Sequence, residues 1–236
     1  MKKIKNSKVV LLISVMAIQL LRKINRVFKC NLFFGQTGED IVLRSLFYGV
    51  NRPLFYLDIG CNHPISLSNT FGFYLEGGRG ICVDANEELI KAYTKIRPRD
   101  IALNTLISNN EEEVTFYSFE NHVLSTANPE VVEKAGKAHT IRKRTMRSRT
   151  LTSILSEHLP ENTTMDLLSI DVEGLDFEVL KSLDLNIYRP SVILIEMHQL
   201  NISDVHFHQH EIIQYLSNYD YKMKFYSSMN GYFVKV

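Results

Sequence analysis

Residues 166–198 constrain the fold most, because two apolar segments flank a helix-forming one and each ends in acidic or basic side chains. The segment reads DLLSIDVEGLDFEVLKSLDLNIYRPSVILIEMH. Asp171 and Glu173 follow the first apolar run, whereas Glu196 and His198 end the second. Strand, helix, strand is the pattern of parallel sheets, whose ligands bind outside the carboxyl ends of the strands. The sequence therefore predicts an enzyme site containing these four side chains.

The same alternation of strand-like and helix-like segments runs through the rest of the chain from residue 54 onward. Predicted strands occupy residues 54–60, 80–85, 100–108, 113–119, 165–171 and 191–198. Asn86 is placed to cap a helix, and Asn230-Gly231 is placed at the turn of a terminal hairpin. This pattern predicts an α/β fold, a doubly wound and mostly parallel sheet with a C-terminal antiparallel hairpin.

The turn after the first strand indicates which ligand such a sheet would hold. It reads Asp58-Ile59-Gly60-Cys61-Asn62-His63, with a single glycine and no lysine, so the glycine-rich patterns of dinucleotide and triphosphate sites are absent. Asp84 ends the second strand, where an acid can bind ribose hydroxyls. A nucleoside ligand without phosphates, such as S-adenosylmethionine, fits these residues. The alternative is that both acids are simply polar strand ends.

Three segments of the chain resemble FkbM-type S-adenosylmethionine-dependent methyltransferases. They are FGQTGEDIVL (34–43), YLDIGCNHPISLSNTFGFYLEGGRGICVDAN (56–86) and LLSIDVEGLDFEVLKSLDLNIYRPSVILIE (167–196). The resemblance implies the class I, Rossmann-like methyltransferase fold and O-methylation of a hydroxyl on a sugar or polyketide-type product. Ser169 stands where many members carry lysine.

The resemblance also implies which residues bind the cofactor. Asp58, Gly60, Asn62 and His63 would form the cofactor turn, Asp84 would bind ribose, and Leu106, Ile107 and Ser108 would lie near adenine.

The four acid/base residues of 166–198 have open roles. Asp171 is expected to be catalytic or metal-binding, with capping of the following helix as the alternative, and Glu173 is a catalytic residue or that cap. Glu196 and His198 lie two apart on a strand, hence on one face. With Asp171 they form a candidate site for a divalent cation such as Mg²⁺, or His198 acts as a base.

Residues 120–149 are predicted as a long loop with a basic second half. Its cations from residue 134 to 149 form a solvated face, a clamp for an anionic acceptor, or the RNA-binding surface of an RNA methyltransferase. Residues 31–236 argue against a nucleic-acid partner, because they carry 19 basic and 26 acidic side chains. A third hypothesis is a scaffold that binds S-adenosylmethionine without catalysis.

The first 33 residues are predicted to be separate from a methyltransferase domain at 34–236. Residues 1–30 carry eight basic and no acidic side chains around the apolar run at 9–21. This run is short for a membrane span, so residues 9–29 are predicted to lie in a membrane interface, with a packed helix or a secretory signal as alternatives. The three cysteines have no CxxC spacing, which favours a reducing compartment.

Together these features predict an O-methyltransferase at the cytoplasmic face of a membrane. Its acceptor would be a glycan or glycolipid precursor and its cofactor S-adenosylmethionine.

Overall fold

The computed structural model describes residues 16–17, 19–20, 23, 32–119, 127, 140–197 and 209–236. The elements in chain order are α1 (Glu39–Leu46), β1 (Phe55–Ile59), α2 (Phe71–Leu75), β2 (Arg79–Asp84), α3 (Glu87–Ile96), β3 (Ile101–Asn104), β4 (Leu106–Ile107), β5 (Glu113–Phe119), β6 (Thr140–Arg149), α4 (Leu151–His158), β7 (Leu167–Ile170), α5 (Asp176–Lys181), β8 (Val192–Glu196), α6 (Glu211–Ser217), β9 (Tyr221–Ser227) and β10 (Asn230–Lys235).

A seven-stranded, mostly parallel sheet organises the molecule, in the order β3-β2-β1-β7-β8-β10-β9. The pairs from β3 to β8 are parallel, and β10 runs antiparallel to both β8 and β9. The predicted mixed sheet with a C-terminal antiparallel hairpin is confirmed. The chain order reverses between β1 and β7, which places a topological switch point there.

Helices cover both faces of this sheet, because its central strands are apolar on both sides. On one face, α4, α5 and α6 pack on Leu57 and Ile59 of β1. On the other face, α1, α2 and α3 pack on Tyr56. Successive residues of a strand point to opposite faces, so a single strand contributes to both cores. The helices on either face hold the loops at the strand ends in place.

Two predicted segments end differently in the structure. The strand predicted at 100–108 stops at Asn104, and Leu106–Ile107 instead joins a second sheet of order β4-β6-β5. The prediction of a loop at 120–149 is wrong for its last ten residues. They form β6, which pairs antiparallel with β5. Met146 and Ser148 are buried while the residues between them are not, and the cations that face water hide this alternation in the sequence.

The terminal hairpin turns two residues earlier than the sequence predicted. Ser228 and Met229 form the turn with φ of 49° and 72°, and Asn230 already belongs to β10. Positive φ at both central residues is the geometry of a type I′ turn. Gly231 has a packing role, since a Cβ there would lie 2.4 Å from Met197 Sδ.

The N-terminal segment lies mostly outside the described residues. Its described apolar side chains include Met16 and Leu20, which are 62% and 59% exposed. Among the described residues, no helix is long and apolar enough to cross a membrane. Cys61 and Cys82 are free and buried.

Candidate active site

A cleft opens at the carboxyl ends of β1, β2 and β7, beside the switch point of the sheet, with about 950 Å³ of empty space that includes its opening to solvent. Its lining combines the turns after these strands with β4 and β5. The lining residues are Gln36, Asp58, Ile59, Gly60, Cys61, Asn62, Leu67, Asn69, Val83, Asp84, Ala85, Thr105, Leu106, Ile107, Phe116, Ala127, Asp171, Val172, Glu173 and Leu175. This position and size suit a small ligand.

Gly60 forms the floor of the cleft where β1 and β7 end side by side. Its φ is 73°, and a Cβ there would lie 1.7 Å from the carbonyl oxygen of Asp171. Its amide donates to the carbonyl oxygen of Val83 at 2.9 Å, which ties the turn to β2. Only glycine fits this point, because the end of β7 leaves no room for a side chain.

Asp84 is held in one orientation at the end of β2. Its carboxylate accepts hydrogen bonds from the backbone amides of Asn62, at 3.0 Å, and Asn86, at 2.7 Å. Asn62 has a φ of 47°, the left-handed conformation that turns its amide toward this acid. The cofactor turn and the predicted ribose-binding acid are therefore one bonded unit.

His63 and Ser108, two of the predicted cofactor residues, are not part of the cleft lining. His63 Nδ1 accepts from the amides of Ile65, at 3.2 Å, and Ser66, at 3.1 Å, and burial lowers the pKa of its ring. Its neutral ring therefore stabilises its own turn. Ile107 does line the cleft, with Leu106 and Phe116. These apolar side chains form a wall opposite the polar turns.

Asp58 reaches the cleft from β1 and is only 4% exposed. The hydroxyl of Thr70 donates to it at 2.5 Å. The hydroxyl of Ser169, at the position where lysine is common in the resembling family, accepts from the side-chain amide of Asn69 at 3.2 Å and lowers the pKa of Asp58. The small serine leaves room for this network beside the cleft.

Three carboxylates meet where β7 and β8 end. Ligand oxygens of Asp171, Asp176 and Glu196 all lie within 4.8 Å of one another. Asp176 was not predicted, and it accepts from the amides of Val172, at 2.9 Å, and Gly174, at 3.0 Å. These bonds hold the turn that precedes α5, and the N-cap residue of that helix is Leu175 rather than Asp171 or Glu173.

Burial and mutual repulsion raise the pKa values of Asp171, Glu173 and Glu196. Burial raises the pKa of Asp171 well above its usual range, and the charges of Asp176 and Glu173 raise it further. Burial, with the charge of Asp176, raises the pKa of Glu173 to about 7. Burial, with Asp171 as the first of its neighbours, raises the pKa of Glu196 to about 9. Asp171 and Glu173 line the cleft, whereas Glu196 lies outside its lining.

The cation site predicted from Asp171, Glu196 and His198 is described only in part. The structure brings the two acids together and adds Asp176, whereas His198 lies outside the described residues. Carboxylate oxygens are ligands that Mg²⁺ accepts, so the chemistry of this donor set fits such an ion.

The sequence analysis did not predict that the loop before α1 contributes to the cleft. Asp40 is fully buried and accepts from the amides of Phe34, at 3.0 Å, and Gly35, at 3.3 Å. Glu39 accepts from the amide of Thr37 at 2.9 Å. These bonds fold the loop so that Gln36 lines the cleft. The signal was present in the FGQTGED motif, whose two acids follow two glycines.

A mostly parallel sheet with a cleft at its switch point places the chain among the doubly wound α/β proteins, which bind their ligands at this position. Comparison with protein families identifies which one: the methyltransferase FkbM domain family matches residues 58–223, and the chain belongs to it. It is therefore a methyltransferase, and the family implies S-adenosylmethionine as methyl donor. Neither curated proteins nor solved structures gave a match.

Proposed function

We propose that the protein is a class I, Rossmann-like O-methyltransferase that transfers a methyl group from S-adenosylmethionine to a sugar hydroxyl in a glycan or glycolipid precursor. The observation that carries this proposal is the shared cleft. Gly60 and Asp84 line its cofactor side, and Asp171 and Glu173, with raised pKa values, line the same space. Cofactor-binding groups and proton-accepting groups thus face one volume.

The cleft residues fit S-adenosylmethionine in shape and in chemistry. Gly60 lines the cleft, and its missing Cβ lets the chain after β7 approach to within contact of the cofactor turn. Asp84 would accept from the ribose hydroxyls, and the wall of Leu106, Ile107 and Phe116 would contact adenine. Asp58 would bind the amino group. When bound, the cofactor supplies an electrophilic sulfonium methyl group.

Glu173 is the proposed general base. A sugar hydroxyl must lose its proton as the new bond forms, and the best base has a pKa near the working pH. The raised pKa of Glu173, about 7, meets that condition, and the side chain lines the cleft. Asp171, whose pKa burial raises well above its usual range, would orient the acceptor by a hydrogen bond.

The rest of the lining supports an uncharged acceptor rich in hydroxyl groups. Gln36 and Asn69 offer amide donors and acceptors, and Leu67 and Leu175 offer apolar contact for a sugar ring. Sugar recognition needs both kinds of contact.

A methyl-transfer assay tests this proposal. Full-length protein would be incubated with methyl-labelled S-adenosylmethionine and glycolipid precursors. We expect labelled product from the wild type and from Glu161→Gln, an exposed control, and none above background from Glu173→Gln. Activity should persist in chelator. Loss in chelator with recovery in Mg²⁺ would instead support the predicted cation at Asp171 and Glu196.

RNA is the alternative acceptor that the basic strand β6 raises. Arg144 lies 3.6 Å from Glu87 and Arg147 lies 3.8 Å from Glu111, so two of its exposed cations face carboxylates. This pairing weakens the surface as a phosphate-binding site. RNA binding that falls steeply with salt would revive that alternative.

Peripheral membrane contact through residues 9–29 is also part of the proposal, and with it a position at the cytoplasmic face of the membrane. The exposure of Met16 and Leu20 supports it, because apolar side chains of a basic segment suit a lipid interface. Co-flotation with anionic vesicles, lost when both residues are changed to Ser, would test it. Equal flotation of the variant would contradict it.

A further inference from the structure

Arg97, directly after α3, is fully buried, which is unusual for a side chain that is always charged. Its guanidinium carbon lies 5.3, 5.2 and 5.0 Å from the ring centroids of Tyr56, Tyr74 and Tyr93. Aromatic faces stabilise a cation that has left water. The roles assigned so far make no use of this buried charge.

The hydrogen bonds of Arg97 lead to the cleft through one hydroxyl. Its Nε donates to Asp100 at 2.7 Å, and its Nη2 donates to the hydroxyl oxygens of Tyr56, at 2.9 Å, and Thr70, at 3.0 Å. The Thr70 hydroxyl donates in turn to Asp58 at 2.5 Å. Because a hydroxyl has one proton, accepting from Arg97 leaves Thr70 to donate to Asp58.

The charges of the hydrogen-bonded groups Arg97, Asp58 and Asp100 do not cancel. Asp58 and Asp100, both buried, share the single guanidinium of Arg97. Asp100 points into the protein, where it also accepts from the hydroxyl of Tyr56 at 2.9 Å and the amide of Gly80 at 3.0 Å. Asp58 is the member that lines the cleft. One negative charge is thus left over, and it is presented to the ligand at Asp58.

We propose that Arg97 and Thr70 are positioning residues that hold Asp58 ionised and in one orientation, so that its carboxylate can bind the amino group of the methyl donor. This inference rests on the proposed function. Burial raises the pKa of Asp58, while the Thr70 hydrogen bond and the charge of Arg97 lower it. The hydrogen bonds that run from Arg97 through Thr70 to Asp58 form a relay. This relay opposes the effect of burial on the pKa of Asp58 and keeps this buried acid charged when a cation arrives.

Other titratable groups surround Asp58, and the test must separate them from the relay. They are Tyr56 of β1, Cys61 and His63 in the turn after it, Cys82 of β2, Tyr93 of α3, Asp100 after α3 and Asp171 after β7. A change confined to Thr70 leaves all of them in place. A shift between two Thr70 variants therefore reports on the hydroxyl alone.

The test is the pH dependence of S-adenosylhomocysteine binding by the full chain, from pH 5 to 8.5, for Thr70→Val and Thr70→Ser. Valine keeps the shape and removes the hydroxyl, whereas serine keeps the hydroxyl. We expect wild-type affinity to fall as the pH drops through the pKa of Asp58. In Thr70→Val that midpoint should rise by about one pH unit, the size of one hydrogen bond to a charged group, with affinity about tenfold lower below it and unchanged above it. Thr70→Ser should follow the wild type.

Equal weakening of Thr70→Val at every pH, or identical profiles for the two variants, would overturn the relay and leave Thr70 a packing role. Arg97→Lys should give the same upward shift, because lysine cannot make the divergent bonds of a guanidinium. If Arg97→Lys does not fold by circular dichroism, the Thr70 pair decides alone. Absence of binding by the wild type at all pH values would instead overturn the proposed function.

Discussion

Gly60 is the residue at which the chain has least freedom, since its backbone meets the carbonyl of Asp171 and its φ is 73°. Gly49 offers a matched comparison, because its φ is 87° and a Cβ there would meet nothing within 4 Å. Both positions strain an L-residue, and only Gly60 adds a collision.

The first prediction compares these two glycines. Gly49→Ala should cost about 1 kcal/mol of unfolding free energy, the penalty of left-handed backbone. Gly60→Ala should cost at least about 3 kcal/mol, or rearrange the cleft and abolish cofactor binding. Urea unfolding and S-adenosylhomocysteine titration measure the two effects. Equal costs with intact binding in both variants would show that the floor of the cleft is not built as described.

The second prediction concerns Glu173, whose pKa is raised from 4.5 to about 7. The base acts when ionised, so kcat/KM should rise with pH and level off above about 7. Glu173→Gln should lose this rise of kcat/KM with pH, and its rate should be about 10²–10⁴-fold lower than that of the wild type. A pH–rate profile beside Glu161→Gln measures it. If kcat/KM of Glu173→Gln still rises with pH in this range, another group accepts the proton.

At the same scale, sequence reasoning found residues whose chemistry shows in their local pattern. Asp58, Gly60, Asn62, Asp84, Asp171 and Glu173 all line the cleft, as strand-end positions imply. Arg97 and Thr70 could not be found this way, because the bonds from Arg97 to Tyr56 and to Thr70 span 41 and 27 residues of the chain. Asp176 looked like an ordinary first-turn acid of a helix.

At the scale of elements, β5 and the strands with two apolar faces were predicted from the sequence, whereas β6 was not. β7 and β8 are continuous apolar runs, whereas β6 has one face of cations and one short buried stretch around Met146. Its pairing with β5 is a long-range contact that no local pattern encodes. The hairpin shows the same limit, since Asn230-Gly231 was the strongest turn signal and the chain turns at Ser228-Met229.

The third prediction follows from that turn. Met229 is 51% exposed with φ of 72°, so glycine there should relieve strain. Met229→Gly should stabilise the protein by about 0.5–1 kcal/mol, measured by urea unfolding. The control is Lys224→Gly in the exposed part of β9, where glycine should destabilise by a similar amount. Destabilisation by both changes would contradict the left-handed turn.

At the scale of the whole molecule, two hydrophobic cores pack on the two faces of one sheet. Buried acidic side chains lie at the carboxyl ends of its strands. Glu196 is 8% exposed, and its pKa is raised from 4.5 to about 9. A pKa raised in the folded state gives stability that is full below pH 4.5 and is lost as the pH rises toward 9. The acidic edge that serves the cleft thus weakens the fold in alkaline solution.

The fourth prediction uses this linkage. Glu196→Gln should remove the loss, so the variant should gain on the order of 2 kcal/mol relative to wild type between pH 5 and pH 8. Urea unfolding at the two pH values measures the gain, with Glu161→Gln as the control. A difference between variant and wild type that does not change with pH would contradict the buried, protonated state of Glu196.

The central claim is that the cleft at the switch point binds the methyl donor through Asp84. Calorimetric titration of the full chain with S-adenosylhomocysteine, beside Asp84→Ala and the exposed control Glu88→Gln, tests it most directly. We expect micromolar binding by the wild type and the control, and at least a tenfold loss in Asp84→Ala. Absence of binding by folded wild-type protein, or equal affinity in Asp84→Ala, would contradict the account.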